Sequence, residues 1–501
     1  MKIFFIIISI LVFTSCNKAI TQNEIKEENK FNITEQELFN LADIDSELWM
    51  NIFLNNDKIG YLVASVRKSL FNNEEILILK SYSFLKIQRY SNEMIIENTV
   101  NQYIDYNLNP ISFTFLKLES VSGNTTIQGI IHDNELDVII QSKYDEINRT
   151  YELPEDFSFE GIERYKMLID GPVIGFKQSF SIYDPEELGF IKVTIEIIDE
   201  KQVLFNGGYV DVFEIQSIYD YGTEITITEW MDMTGETIRM DMDSMGFRFE
   251  KTHKLDAVSA FPGYTLASTF IPVNEFIPLR VSKLELKIIT EDPELIDLFI
   301  KDNFQRIETN AEGSNIIIES FFVEDSDSIS LPYNFDEETS AYLRPTRFVQ
   351  SDDDEIISLA NEIARSETNI WAVCRKLFVW VTANITGTYE LSFASAKEVL
   401  SQRKGDCTEY AVLFAALARA YGIPTKVCIG LVYNNSEGFV FHAWNEVFIG
   451  RWQPIDTALL QLYPDATHIK IYEGVLETLS EHSFTVQKFI GQVSFEVIGY
   501  E

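Results

Sequence analysis

Cysteine is scarce in this sequence, with four among 501 residues: Cys16, Cys374, Cys407 and Cys428. Their positions form no Cys-x-x-Cys pair and no cluster with histidine, which excludes a disulfide framework and a zinc site of the usual spacing. The chain also lacks the glycine-rich loops GxxxxGKS/T and GxGxxG that bind nucleotide phosphates. We therefore predict no metal and no cofactor, and each cysteine needs its own explanation.

Positive charge is also scarce, because 40 Lys and Arg residues stand against 78 Asp and Glu residues and give a formal net charge of -38. A chain of this charge repels phosphate backbones, so a nucleic-acid partner is excluded. The apolar fraction of 46%, with 13% aromatic residues, is sufficient for ordinary buried cores. Because 501 residues exceed what one core accommodates, we expect several globular domains, and the sequence leaves the oligomeric state open.

A short apolar run stands near the start of the sequence. Met1 and Lys2 precede the run Ile3–Phe13, an order that is typical of a secretory signal peptide. The run is too short to span a bilayer as a helix. The residues Phe13–Cys16 resemble a bacterial lipobox, whose cysteine is lipidated and becomes the first residue of the mature protein, although Phe13 stands where Leu is usual. The alternative is an ordinary signal peptide followed by an incidental cysteine.

The lipobox resemblance implies a division of the N-terminal region into a signal peptide over residues 1–15, a lipid anchor on Cys16 and a polar tether over residues 16–40. The acyl chains would hold the protein on the exported face of a membrane of the bacterial cell envelope. Asn17, where Asp is associated with retention in the inner membrane, favours the outer membrane.

The region 41–275 reads as a succession of β-strands. Segments such as Ile59–Val66 and Gly222–Asp232 alternate apolar and polar residues, and turns rich in Asn, Asp and Gly separate the strands. This alternation predicts antiparallel sheets with one wet face. A smaller β segment is predicted over residues 276–340. No catalytic constellation is evident in these two regions.

A helical segment carries the third cysteine. A loop containing Gly405 leads into a helix, and Asp406 and Glu409 have the spacing of a capping box at its start. Cys407 therefore falls in the first helical turn. The helix dipole there lowers the pKa of a thiol and favours the nucleophilic thiolate.

Two strands about a tight turn follow, over residues 439–456. If the turn is the three-residue loop Phe448–Gly450, in which Gly450 takes the left-handed conformation, His442 lies directly opposite Asp456 on the same face. A carboxylate in that position orients an imidazole. A slip of one residue in the register would separate the two side chains. Together with the thiol, they are the parts of a catalytic triad for nucleophilic attack.

Four motifs in this part of the chain resemble the core of the transglutaminase-like superfamily. They are RKGDCTEYA, GIPTKVCIGLVY, FHAWNEV and WQPID. The resemblance spans about residues 345–470 and implies that Cys407, His442 and Asp456 are the Cys-His-Asp triad. It also implies a papain-like α+β domain over residues 341–501, with the nucleophile on a helix that packs against an antiparallel sheet. The expected fold is therefore multidomain, a mostly antiparallel β region followed by a transglutaminase-like domain.

The implied chemistry is attack by the Cys407 thiolate on an amide carbonyl to give a thioester. The backbone N–H of Cys407 is an expected donor to the oxyanion, and Trp380 and Tyr389 are candidates for further support. The expected function is an exported, membrane-anchored thiol enzyme that hydrolyses or transacylates a peptide or protein substrate. Hydrolysis is favoured, because a bacterial envelope supplies abundant water. The alternative is a non-catalytic envelope binding or assembly protein with an inactive triad.

The remaining cysteine and histidine residues of this region have simpler explanations. Cys374 is expected on a helix and Cys428 in an apolar strand, so both are predicted to be core residues. His468 is predicted to be structural or to lie at the edge of the cleft. The substrate and the role of the β region remain open.

Overall fold

A computed structural model describes residues 47–501 of the protein, apart from residues 55, 72–73, 90–91, 106, 121–122, 143–145, 164–166, 168–172, 223, 234, 244–245, 262–263, 266–269, 312, 389–393, 435–437, 478–488 and 490. The chain divides into two compact units, unit one up to Thr265 and unit two from Leu266 onward. Within the described ranges, no helix is long and apolar enough to cross a membrane. The predicted signal peptide, lipid anchor and tether lie outside the described residues.

Unit one is built on a large, mostly antiparallel sheet. Its strands are β1 (Glu47–Leu54), β2 (Asp57–Phe71), β3 (Glu74–Arg89), β4 (Asn92–Ile104), β5 (Pro110–Glu119), β6 (Gly123–His132), β7 (Glu135–Gln141), β8 (Glu146–Glu152), β9 (Lys177–Asp184), β10 (Gly189–Phe205), β11 (Gly208–Asp220), β12 (Glu224–Asp232), β13 (Thr237–Met242), β14 (Phe247–Thr252) and the two-residue β15 (Tyr264–Thr265). A short helix, α1 (Lys254–Ala257), lies between β14 and β15.

Side-chain burial in the strands of unit one follows the alternation of apolar and polar residues in the sequence. β7 and β12 bury every second residue, as expected for a sheet with one covered face. Two meanders, β1–β8 and β9–β14, are joined because β1 pairs antiparallel with β14, with Trp49 opposite Thr252. The short β15 pairs parallel with β3. The predicted antiparallel β region is therefore confirmed.

Unit two is an α+β structure. Its helices are α2 (Glu337–Ser340), α3 (Asp354–Ala364), α4 (Ile370–Asn384), α5 (Ala396–Gln402) and α6 (Cys407–Ala420). Its strands are β16 (Lys283–Thr290), β17 (Gln305–Asn310), β18 (Gly313–Glu319), β19 (Thr386–Gly387), β20 (Lys404–Gly405), β21 (Thr425–Asn434), β22 (Gly438–Phe448), β23 (Trp452–Ile455), β24 (Ile469–Gly474) and β25 (Val493–Tyr500).

Three layers make up unit two. Helices α3–α6 pack on a sheet of order β23-β22-β21-β24, and their shared core includes Ala443 and Val447 of β22. A second sheet, of order β17-β18-β16-β25, packs on residues of the first sheet that include Leu431 and Phe439. Helix α6 is buried on nearly all sides, as expected from its continuous apolar sequence.

The observed units differ from the predicted domain boundaries. Unit one ends at residue 265 rather than 275, and the predicted separate segment 276–340 lies within unit two. Its strand β16 pairs with β25, where Leu286 lies opposite Val497. Local alternation predicts that each strand exists, but it carries no information about a partner so distant in the chain. The region of the four sequence motifs therefore lies in a unit that is larger than the predicted 341–501.

Candidate active site

The start of α6 positions the Cys407 thiol. The side chain of Asp406 accepts a hydrogen bond from the backbone N–H of Thr408 at 2.9 Å, and the backbone N–H of Asp406 donates to Glu409 Oε2 at 2.8 Å. This is the predicted capping box, which the structure confirms. Cys407 is the first residue of the helix, and its side chain is partly buried. The positive end of the helix dipole is therefore next to the sulfur.

Glu409 ties the start of α6 to a neighbouring loop. Its carboxyl group is fully buried and accepts a second hydrogen bond, from the backbone N–H of Ala394 at 3.1 Å. Burial, together with the nearby Asp406, raises the pKa of Glu409 well above its usual value. Gly405 is essential to this packing, because a Cβ there would lie 2.2 Å from Glu409 Cβ.

The hairpin that carries His442 has a register different from the predicted one. Phe448 pairs with Trp452 and Asn445 with Ile455, so the loop is Ile449–Arg451 and the pairing is shifted by two residues. The prediction that His442 lies directly opposite Asp456 is therefore wrong. A shift of two preserves which face a side chain occupies, because side chains alternate with period two. Gly450, with φ of 108°, takes the expected left-handed conformation.

Asp456 accepts four hydrogen bonds. Its Oδ2 atom accepts from His442 Nε2 at 2.7 Å and from His468 Nε2 at 3.0 Å. Its Oδ1 atom accepts from the backbone N–H groups of Ala458 and Leu459 at 2.9 and 3.0 Å. Burial of Asp456 raises its pKa, but His442 and His468 outweigh this effect and hold the pKa well below its usual range. The carboxyl group is therefore ionised.

His468 is a partner of Asp456 that the sequence pattern does not predict. The chain turns back after β23 through a bridge between Asp456 and Gln461, and His468 follows just before β24. Its Nδ1 atom lies 3.1 Å from the backbone oxygen of Asp465. Burial lowers the pKa of His468, but hydrogen bonds to Asp456 and Asp465 outweigh burial and raise it to about 9. In the sequence, His468 is a lone histidine three residues after Asp465, and no local pattern connects it with Asp456.

Strand β22 lies along helix α6. Asn445 of β22 donates through Nδ2 to the backbone oxygen of Ala411 at 3.0 Å, one turn of α6 beyond Cys407. Cys407 packs against the same core as Ala443, the neighbour of His442. The structure thus brings His442 and Asp456 into direct contact and places Cys407 on the helix that packs against β22, the strand of His442.

The two other cysteines of unit two are buried thiols. Cys374 lies in α4 and Cys428 in β21, and neither is exposed to solvent. Burial raises the pKa of both thiols well above the usual value. Their predicted placement in the core is confirmed.

The structure describes one of the two residues predicted to support the oxyanion. Trp380 lies in α4, and the Arg403 guanidinium is 4.8 Å from the centre of its ring. This cation–π contact links the indole to the C-terminal cap of α5. Tyr389 lies outside the described residues, and so does the predicted lipidation site, Cys16.

In the part of the chain that the structure describes, two clusters of side chains have potential metal ligands within 4.8 Å of one another. One is His442, Asp456 and His468, which are already joined by the hydrogen bonds of the Asp456 carboxylate. The other is Asp302, Glu446 and Glu473, whose carboxylates surround the ammonium of Lys470 at 2.5–2.6 Å. In both clusters, the carboxylates are therefore already bound by N–H groups of protein side chains.

Residues 357–457 match the family model of the transglutaminase-like superfamily. The C-terminal region thus contains a transglutaminase-like domain, and the matched segment includes Cys407, His442 and Asp456. The fold class predicted for this region is confirmed. No curated protein matches the chain.

Three solved structures are similar to parts of the chain. A candidate cysteine protease from Cytophaga hutchinsonii is 18% identical, with a TM-score of 0.32, over 42% of this chain and 83% of that chain. A β-barrel-like protein from Brucella abortus is 13% identical, with a TM-score of 0.31, over 41% of this chain and 94% of that chain. A candidate protease from Parabacteroides distasonis is 10% identical, with a TM-score of 0.20, over 77% of this chain and 69% of that chain.

Proposed function

We propose that unit two is a thiol enzyme that acts on amide bonds, with Cys407 as nucleophile, His442 as general acid and base, and Asp456 as the group that orients the imidazole. The observation that carries this proposal is the buried hydrogen bond of 2.7 Å between His442 Nε2 and Asp456 Oδ2. His442 lies on β22, the strand that packs against the Cys407 helix, and both residues fall within the segment matched by the family model.

The hydrogen bond to Asp456 assigns the protons of His442. An ionised carboxylate only accepts hydrogen bonds, so Nε2 carries a proton and Nδ1 is the nitrogen that exchanges a proton with the reacting groups. His442 Nδ1 takes the thiol proton of Cys407, and the sulfur attacks the amide carbon. The C–N bond breaks as Nδ1 passes this proton to the leaving amine. His442 then takes a proton from water, which attacks the thioester and releases the acid and the thiol.

The oxyanion formed by this attack needs hydrogen-bond donors. The backbone N–H of Cys407, at the first position of α6, is the proposed first donor. Trp380 and Tyr389 are the proposed candidates for further support. The proposed substrate is a peptide or protein, and hydrolysis is favoured over acyl transfer. The proposed site of action is the bacterial cell envelope, where a lipid anchor on Cys16 would hold the protein.

The reactivity of Cys407 towards iodoacetamide tests this proposal. The alkylation rate of each cysteine is followed against pH by peptide mass spectrometry, in the native protein and in His442→Ala. We expect Cys407 to react well below pH 8.5, the usual thiol pKa, and to lose this low-pH reactivity in His442→Ala. Cys374 and Cys428 are buried internal references that should react slowly in both proteins.

A Cys407 that reacts as slowly as the two buried cysteines would contradict the proposal and favour the non-catalytic alternative, a binding or assembly protein. If Cys407 is reactive, a panel of peptides with and without added amines separates hydrolysis from acyl transfer. Cys407→Ser is the matched control, because it keeps the size of the side chain and removes the thiol.

A further inference from the structure

The Asp456 carboxylate is shared by two imidazoles. His442 Nε2 and His468 Nε2 both contact Asp456 Oδ2, and the ring centres of the two histidines are 5.9 Å apart. All three side chains are buried. A triad needs one of these imidazoles, and the second is a feature that the proposed function does not use.

The contacts of His468 determine its protonation. Its Nε2 atom faces the Asp456 carboxylate, and its Nδ1 atom lies 3.1 Å from the backbone oxygen of Asp465 and 3.5 Å from the Asp465 carboxylate. Carboxylate and carbonyl oxygens only accept hydrogen bonds, so each ring nitrogen must carry a proton. An imidazole with two N–H groups is the positively charged form.

We propose that His468 is a positioning residue, a buried imidazolium that holds the Asp456 carboxylate in place and sets the pH range over which Cys407 and His442 work. The positive charge of His468 is inferred from its hydrogen-bond contacts alone. Its effect on the reaction rests on the proposed function. The residue touches the orienting carboxylate and acts through it, so it is not itself a catalytic residue.

The surroundings of His468 support a positive charge there. Asp456 and Asp465 face it, and Asp465 is held by hydrogen bonds from the backbone N–H and the hydroxyl group of Thr467 at 3.1 and 2.6 Å. The nearby Lys470 is bound by the carboxylates of Asp302, Glu446 and Glu473. The ring of Trp444 packs edge-on against His468, with the ring centres 5.3 Å apart. The raised pKa of His468 agrees with this geometry.

A fixed positive charge beside His442 has a consequence for the proposed reaction. It favours loss of a proton from any neighbouring group, because it stabilises the deprotonated form relative to the protonated one. Without this charge, the Cys407 thiol would keep its proton to a higher pH. The rising limb of the pH profile of Cys407 reactivity should therefore move to higher pH.

The charge of His468 can be measured directly by NMR of the imidazole nitrogens. The chain has five histidines, and the His468 signal is assigned by its loss in His468→Gln. We expect both ring nitrogens of His468 to be protonated at about pH 7.5 and to titrate only near pH 9. A neutral His468 at about pH 7.5 in the folded protein would overturn the proposal, whatever the activity of the protein.

The positioning role is tested by the pH profile of Cys407 alkylation in three variants. His468→Gln keeps an N–H donor for Asp456 but removes the charge, and we expect the rise of the alkylation rate to move up by about one to two pH units. His468→Ala removes donor and charge, and should also lower the turnover number on a peptide substrate by at least about tenfold, since misplaced catalytic groups cost rate. His132→Gln, at an exposed histidine of β6, is the matched control and should leave the profile unchanged.

An unchanged profile in a folded His468→Gln, checked by circular dichroism, would refute the positioning role even if the enzyme is active. A wild-type Cys407 without enhanced reactivity would instead refute the proposed function, and with it the effect of His468 on the reaction. The NMR measurement then still decides the charge of His468, so the two failures can be distinguished.

Discussion

At the scale of single residues, the hydrogen bonds of Asp456 require a carboxylate rather than an amide. Its two oxygens face two pairs of N–H donors, the imidazoles on one side and backbone groups on the other. In Asp456→Asn, the NH₂ group must face one of these pairs, whichever way the amide is turned. We expect the turnover number on a peptide substrate to fall by about 10⁴-fold, as when other triad carboxylates are replaced. Asp325→Asn, at an exposed ion pair with Arg375, is the control and should keep full activity.

The raised pKa of His468 also predicts how stability depends on pH. A group whose pKa is raised from 6.5 to about 9 by folding stabilises the folded state fully below pH 6.5, and this contribution is lost as pH rises through 9. The loss amounts to about 1.4 kcal/mol for each unit of the shift. Urea unfolding at about pH 6 and pH 9.5 measures it. His468→Gln should lack this part of the pH dependence, and an equal loss in both proteins would contradict the assignment.

At the scale of secondary-structure elements, the start of α6 depends on a close contact between Gly405 and Glu409. Gly405→Ala would place a Cβ 2.2 Å from Glu409 Cβ, so the capping box must shift. We expect a loss of about 1–3 kcal/mol of unfolding free energy, typical of overpacking, and slower alkylation of Cys407. Gly387→Ala is a matched control, because Gly387 pairs with Gly405 and its Cβ would have a contact no closer than 3.9 Å. Equal losses in the two variants would contradict this explanation.

The elements around the site show what local sequence can predict. The capping box was predicted because both of its residues lie within one helical turn of Cys407. The common face of His442 and Asp456 was also predicted, but their register was wrong by two residues. Alternation determines the face of a side chain, while the pairing depends on where the loop begins, and the sequence pattern leaves that choice open.

At the scale of the whole molecule, unit two contains a strand, β25, that lies far in sequence from the candidate active site. Phe495 of β25 is buried in the core between the two sheets, with its ring centre 5.1 Å from that of Phe439. We expect Phe495→Ala to destabilise unit two by about 3–5 kcal/mol. Ile498→Ala, at a half-exposed position of the same strand, should cost less than about 1 kcal/mol.

Alkylation of Cys428 under increasing denaturant reports the unfolding of unit two alone. Its thiol is fully buried, and the described part of unit one contains no cysteine. The midpoint should fall in Phe495→Ala and stay near the wild-type value in Ile498→Ala. If β25 does not contribute to the stability of unit two, both variants will unfold with the wild-type midpoint.

The same strand explains why the domain boundaries were harder to predict than the fold class. Strand alternation and helical periodicity are local, and they predicted both the antiparallel β region and the α+β region. The pairing of β16 with β25 and the hydrogen bond of His468 to Asp456 join residues that no local pattern connects. Both require the complete tertiary structure of unit two.

The pairing of β1 with β14 has a consequence for the order in which unit one is completed. Whether the chain emerges from a ribosome or from an export channel, β1 precedes the other strands of unit one, and those from β2 to β8 can pair in turn. The other edge of β1 has to wait until Phe247–Thr252 has emerged. Throughout that interval the nascent chain carries a bare strand edge next to an apolar face, which is a site for association with other chains. Unit one is thus most vulnerable to aggregation before its second meander is complete.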